Sequence, residues 1–165
     1  ENFQKFLEKR REILADELNN YLKNISITED VKSEIPINEL IESGEHSFLE
    51  FKSTMRWNVR EVKSDKKMEE IIIKTISAFS NAQGGKLLIG VADNGEILGL
   101  QDDYNSLKEA NKDYFEIHLN NLINAAFGKS FAPGAIQVHF PVIDENEICV
   151  VDIEPGKSPL YIDVA

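Results

Sequence analysis

Between residues 3 and 25, apolar side chains recur at spacings of three and four: Phe3, Phe6, Leu7, Leu14, Leu18, Tyr21, Leu22 and Ile25. That period predicts an amphipathic N-terminal helix over residues 1–25. Residues 26–44 read as a connector and a short helix. The connector is polar and ends at Pro36; Asn38 is placed to cap a helix over Glu39–Ser43, and Gly44 to stop it. From residue 45 to 165 the pattern is that of one domain. Phe48–Lys52 alternates, with Leu49 and Phe51 on one face and Glu50 and Lys52 on the other, as in a half-buried strand. Residues 54–64 read as a loop. Ser64 or Asp65 then caps a helix to about Ala82, with Ile72, Ile73, Ile76 and Phe79 as its apolar stripe and Gly84-Gly85 as its stop.

Lys86–Ala92 is a mostly apolar run and predicts a strand. Asp93-Asn94-Gly95 is a turn signal, and Glu96–Leu100 is expected to return as a partner strand. An acidic stretch, Gln101–Tyr104, leads into helices expected over roughly 104–127, where Phe115, Leu119, Leu122, Ile123 and Ala126 follow helical spacing, ended by Gly128. Two more strands, Ala135–Ile143 and Glu147–Ile153, flank an Asp144-Glu145-Asn146 turn, and Leu160-Tyr161-Ile162 is a candidate further strand. Strands adjacent in hairpins, with helices between the pairs, predict an α+β fold with a mixed or antiparallel sheet and packed helices.

Composition narrows the function classes. The 165 residues suffice for one domain with a core. No apolar run approaches about 18 residues, so no membrane span is expected. The single cysteine, Cys149, excludes an intramolecular disulfide, and its apolar run suggests a core thiol. Low cysteine use fits a reducing, cytoplasmic location. The net charge of −11 argues against a generic nucleic-acid-coating protein. The charge is uneven, however. Lys52–Lys74 holds seven cations against four acids. Arg56, Arg60, Lys63, Lys66 and Lys67 form its basic stretch, with Trp57 inside it.

Several chemistries fail on spacing. Gly128-Lys129-Ser130 and Gly156-Lys157-Ser158 lack the glycine that opens a P-loop, since Ile123 and Val151 stand there; no ATP site of that type is expected. Scattered His46, His118 and His139 with one cysteine do not make a zinc site. The carboxylates remain. Glu45 and Glu50 lie five apart, and Asp93 ends the following strand. If the two strands pair, the three could converge as a hard-oxygen site for Mg²⁺ or Mn²⁺, with Lys52 neutralising developing charge. The same residues also read as a helix-end surface group, a solvated strand face and a turn former.

The segments Glu45-His46-Ser47-Phe48-Leu49-Glu50-Phe51-Lys52-Ser53, Ile76–Gly95 and Ile97-Leu98-Gly99-Leu100 resemble the Schlafen AlbA-2 domain family, in family order. The resemblance implies association with RNA or DNA. In the Schlafen branch it implies metal-dependent endonuclease cleavage of structured RNA such as transfer RNA. Glu45, Glu50 and Asp93 match the acids of that branch, which makes them the expected catalytic and metal-binding set beside Lys52. The alternative is a non-catalytic nucleic-acid-binding or regulatory oligomerisation module of a larger protein. The Schlafen nuclease core is similar to two such domains around a groove. A homodimer is therefore expected, with the N-terminal helix a candidate contact, and so are further domains in the full-length protein. Arg56, Trp57, Arg60, Lys63, Lys66 and Lys67 are the expected nucleic-acid contacts, Trp57 by stacking on a base for about 1–3 kcal/mol.

Overall fold

The structure, a computed structural model, describes residues 3–5, 7, 9–11, 13–18, 35–131 and 134–162. The chain divides into two units, Glu1–Pro36 and Ile37–Ala165. In the first, the described residues between 3 and 18 are helical, in keeping with the spacing of Phe3, Leu7, Leu14 and Leu18. The expected continuation to residue 25 and the connector as far as residue 34 lie outside the described residues.

The second unit runs α1 (Ile37–Ser43), β1 (Leu49–Lys52), β2 (Trp57–Asn58), β3 (Lys63–Ser64), α2 (Lys66–Asn81), β4 (Gly85–Ile89), α3 (Gln101–Asn105), α4 (Lys112–Phe127), β5 (Ile136–His139), β6 (Val142–Ile143), β7 (Asn146–Glu147) and β8 (Cys149–Ile153). A four-stranded sheet has the order β1-β4-β8-β5. β1 and β4 pair in parallel, with Glu50 opposite Leu87, and they are joined through α2. β8 is antiparallel to both β4 and β5. The sheet is mixed and the fold is α+β.

Each face of the sheet buries its own apolar cluster. On one face Leu87, Ile89 and Val151 meet Ile72 and Ile76 of α2 and Phe115, Leu119 and Ile123 of α4. On the other, Leu49, Phe51, Leu88 and Val150 meet Leu40 and Ile41 of α1. Complete burial of side chains such as Phe51 and Phe115 stabilises by roughly 1.5–3 kcal/mol each. The pleat sends alternate β1 side chains to opposite faces. With Leu49 and Phe51 on the α1 side, Glu50 and Lys52 must face the α2 side.

Several elements depart from the sequence pattern. α1 starts at Ile37, so Asn38 is inside the helix instead of capping it. Packing of Ile37 with Leu40 and Ile41, spaced for one helix face, accounts for the extra turn. The loop expected over 54–64 contains the β2–β3 hairpin. β4 ends at Ile89 because Gly90 has φ 95°, and Glu96–Leu100 forms no strand. Only one bridge, Val91 to Ile97, joins the two arms. The Ala92–Gly95 turn itself is present, closed by a 2.8 Å bond from Gly95 N–H to Ala92 C=O.

The helices expected over 104–127 are α3, which starts earlier at Gln101, and α4, which the Asn111 side chain caps by accepting from Tyr114 N–H at 2.9 Å. The strand expected over 135–143 breaks at Phe140-Pro141, where proline lacks a donor, and β6 and β7 form a separate two-stranded tip. Residues 160–162 form no strand. Leu160 instead exchanges two bonds with the Asn81 side-chain amide, at 2.7 and 2.9 Å. Gly84 has the left-handed φ of 79° and donates to Phe79 C=O, closing α2.

Candidate functional site

The stretch from Glu45 to Asp65 decides where charge is presented. Residues 46–49 fold back on themselves, His46 and Leu49 exchanging backbone bonds of 2.9 and 3.0 Å. This turn brings the Glu45 carboxylate to the free edge of β1, where Oε1 accepts from Phe51 N–H at 2.8 Å. Glu50 lies 2.5 Å from Lys52 Nζ, and that ammonium also donates to Phe51 C=O at 2.7 Å. Asp93 is exposed at its turn. The turn packs on the α1 side, since a Cβ built on Gly95 would lie 3.5 Å from Ile41 Cγ2. Glu50 faces the opposite side of the sheet.

Among the described residues no three His, Cys, Asp or Glu side chains are placed to hold a metal ion. Glu45, Glu50 and Asp93 therefore do not assemble into the expected Mg²⁺ or Mn²⁺ centre. One Glu45 oxygen accepts from an amide, and one Glu50 oxygen pairs with Lys52. A hard cation would need the remaining oxygens to converge at 2.0–2.6 Å. Lys52 likewise serves its own strand.

A different carboxylate organises the site. Asp103, on α3, is 2% exposed. Its Oδ1 accepts from the Thr54 hydroxyl at 2.6 Å and from the N–H groups of Arg56 and Trp57 at 3.0 Å each. Its Oδ2 accepts from Met55 N–H at 2.8 Å. One buried anion thus satisfies three successive backbone donors and locks the chain where it leaves β1. No motif or spacing in the sequence marks Asp103 as a site residue. The available signal, for its burial only, was its place between Leu100 and Tyr104, two apolar residues at helical spacing, which turns an acid toward the core.

From that anchor the chain runs straight into the β2–β3 hairpin. Trp57 pairs with Ser64 and Asn58 with Lys63. Asp65 N–H donates to Arg56 C=O at 2.8 Å, extending the ladder at its base. At the tip, Asn58 Oδ1 accepts from Arg60 and Glu61 N–H at 3.1 and 3.2 Å. Asp65 then caps α2 by accepting from Lys67 N–H at 2.9 Å. That bond first, and the Asn58 amide second, hold its carboxyl below the usual range.

The six expected contacts divide. Arg56 turns inward. Its Nε lies 3.3 Å from Glu69 Oε1 without hydrogen-bond geometry, and its Nη1 donates to Ser106 C=O at 3.2 Å. The same Glu69 oxygen is 2.7 Å from His118 Nε2. Arg56 thus links the loop to Glu69 of α2 and to Ser106 just beyond α3, and Glu69 in turn meets His118 of α4. Trp57 is half-buried. Lys63 is exposed but paired with Glu61 at 2.6 Å, a hydrogen bond that raises its pKa. Arg60, Lys66 and Lys67 are exposed and make no ion pair with a described residue.

Lys66 and Lys67 open α2. Cations there oppose the helix dipole, at a cost of about 0.3–1 kcal/mol each. Nothing in the packing requires them, since both side chains are exposed. The result is three exposed cations, Arg60, Lys66 and Lys67, interleaved with Glu61, Asp65, Glu69 and Glu70 on a hairpin and helix start, in a chain of net charge −11.

Comparison with known proteins places this arrangement. No curated protein matches the chain in sequence. The DIP2311 protein from Corynebacterium diphtheriae superimposes with a TM-score of 0.50 at 14% identity, over 76% of this chain and 25% of that one. The chain thus spans about a quarter of that protein, and the likeness shows a shared fold. The N-terminal domain of an ATP-dependent DNA helicase RecG-related protein from Nitrosomonas europaea aligns over 78% of both chains, with 16% identity and a TM-score of 0.42. The family model described as Schlafen, AlbA_2 matches residues 45–164. That match spans β1, the Asp103 anchor, the basic hairpin and the whole sheet, and the chain belongs to the Schlafen AlbA_2 family.

Proposed function

We propose that this domain binds RNA or DNA through phosphate contacts made by Arg60, Lys66 and Lys67, and that it serves as a binding or regulatory module of a larger protein. One observation carries the reading: Arg60, on a hairpin whose base is braced by a buried aspartate, and Lys66 and Lys67, at the start of the helix that follows, make no ion pair among the described residues. Bracing matters because each ordered side chain or loop otherwise costs entropy on binding. The overall negative charge limits binding to this local surface and makes it strongly salt-dependent. Trp57, at the hairpin base, is available for partial stacking. No catalytic step is assigned to Glu45, Glu50 or Asp93.

The test is fluorescence anisotropy with a labelled transfer-RNA-like hairpin and a labelled DNA duplex, over a range of salt. If three cations each meet one phosphate, log Kd should vary with log salt with a slope near 3 on duplex DNA, at about 0.9 per phosphate. Arg60→Glu with Lys67→Glu should weaken binding and reduce the slope by about 2. Unchanged affinity and slope in that double variant would remove this surface as the binding site. A parallel incubation with Mn²⁺ decides the family-implied nuclease activity. Metal-dependent cleavage lost in Glu50→Ala would overturn the non-catalytic reading.

A further inference from the structure

The hairpin carries a second feature that phosphate binding does not use. Its tip exposes two valines, Val59 at 65% and Val62 at 71%. Val62 has φ 51°. A β-branched residue in the left-handed region is strained, and neither glycine nor asparagine, which would relieve it, occupies the position. Solvent offers no reason to keep two apolar, β-branched side chains on such a turn. They are flanked by Arg60 and Glu61 on the tip and by Lys63 on β3, which pairs with Glu61. The Asn58 side chain closes the tip through Arg60 and Glu61 N–H, and the base beneath is held through Arg56 and Trp57 to Asp103. The tip thus presents two valines beside Arg60, on a hydrogen-bonded turn.

We propose that this tip is a wedge for duplex DNA: Val59 and Val62 enter the minor groove and press between two base pairs, while Arg60 and the lysines hold the flanking phosphates. The inference rests on the nucleic-acid reading above. Apolar side chains driven into a base step partly unstack it and bend the duplex, and the deformation is cheapest at flexible pyrimidine–purine steps. The ligand class is therefore B-form DNA with a deformable step. A-form RNA has a wide, shallow minor groove that would not grip so narrow a tip. Rigidity is what a wedge requires, since a mobile tip would fold aside before the bases parted. The Asn58 bonds at the tip and the Asp103 anchor at its base oppose that movement.

The experiment uses the full chain and two DNA duplexes, one with a central TA step and one with a central A-tract, each carrying 2-aminopurine beside the centre. A matched RNA duplex is the third ligand. The variant is Val59→Ala with Val62→Gly. Glycine accepts the left-handed φ, so the variant is expected to melt no lower than the parent. With the parent chain, 2-aminopurine fluorescence should rise on binding the TA duplex, which should bind about tenfold more tightly than the A-tract. The variant should lose both the rise and the preference while keeping the salt slope. Retention of either by the variant overturns the wedge, as does binding by the parent without unstacking; in both cases phosphate binding by the hairpin stands. Equal preference for the RNA duplex also overturns it. If the parent binds none of the three, the wedge and the nucleic-acid reading fall together.

Discussion

Replacing Asp103 with asparagine tests the anchor on which the hairpin depends. The carboxylate accepts four hydrogen bonds, three from backbone amides and one from Thr54. Whichever way the asparagine amide turns, its NH₂ faces at least one donor. The less costly orientation keeps oxygen toward Thr54, Arg56 and Trp57 and sets NH₂ against Met55 N–H. One charge-assisted bond is then lost, worth about 1.5–3 kcal/mol, and a buried N–H is left without an acceptor, at about 1–3 kcal/mol. The expected destabilisation is therefore roughly 2.5–6 kcal/mol, a large share of the 5–15 kcal/mol typical of a domain. Urea unfolding followed by circular dichroism measures it, at constant m-value. The single tryptophan adds a local probe, because Trp57 lies two residues beyond the released Met55 N–H in the same anchored stretch. Its emission should shift to the red even below the global transition. A variant within about 0.5 kcal/mol of the parent, with unchanged emission, would show that the loop is held by something other than this anion.

Three further outcomes follow from particular contacts. Gly84→Val places a Cβ 2.5 Å from Ile153 C=O at φ 79°, so strain and clash together should destabilise by about 2 kcal/mol or more in the same urea assay. Tyr104 is buried and donates to Glu147 at 2.5 Å, and burial first and that bond second push its pKa up. The folded state keeps this proton longer than the unfolded state, so the contribution is whole below pH of about 10 and is lost as pH rises beyond it; Tyr104→Phe should flatten that alkaline limb in a pH series of urea midpoints. Burial likewise raises the Cys149 thiol, so a disulfide reagent at pH 8 should label the native chain at the rate of unfolding, and fast labelling would contradict its place in the core.

Much of the fold was legible because burial periodicity is a local signal. The helix over 66–81 showed its stripe at Ile72, Ile73, Ile76 and Phe79, its cap at Asp65 and its stop at Gly84, and the structure uses each of them. β1 was readable from the alternation of Leu49 and Phe51 with Glu50 and Lys52. What stayed hidden depends on contacts far apart in the chain. β2 and β3 are two residues each, too short to show a period, and they exist because Asp103, 46 residues on from Trp57, holds their base. The break between α3 and α4 turns on a single side-chain cap at Asn111. The docking of Leu160 depends on Asn81, at the far end of α2.

The carboxylates show why spacing alone could not place a site. Glu45 and Glu50 are five residues apart, and a strand joining them would separate them by only a few residues' rise. Which way each points is set by the pleat and by the unpaired donors nearby. β1 is an edge strand, and its outward Phe51 N–H needs a partner. Glu45 supplies one through Oε1, which fixes where its carboxylate sits. Asp93 is carried by a turn that must cover Ile41 on the α1 side, while Glu50 must face α2 because Leu49 and Phe51 fill the other cluster. Asp103 goes the other way. Nothing in its spacing suggested a role, yet three consecutive amides leaving the same strand converge on it. In both places the backbone's demand for partners decides what an acid can do. It fixes one carboxylate at the edge of β1 and makes another the foundation of the hairpin.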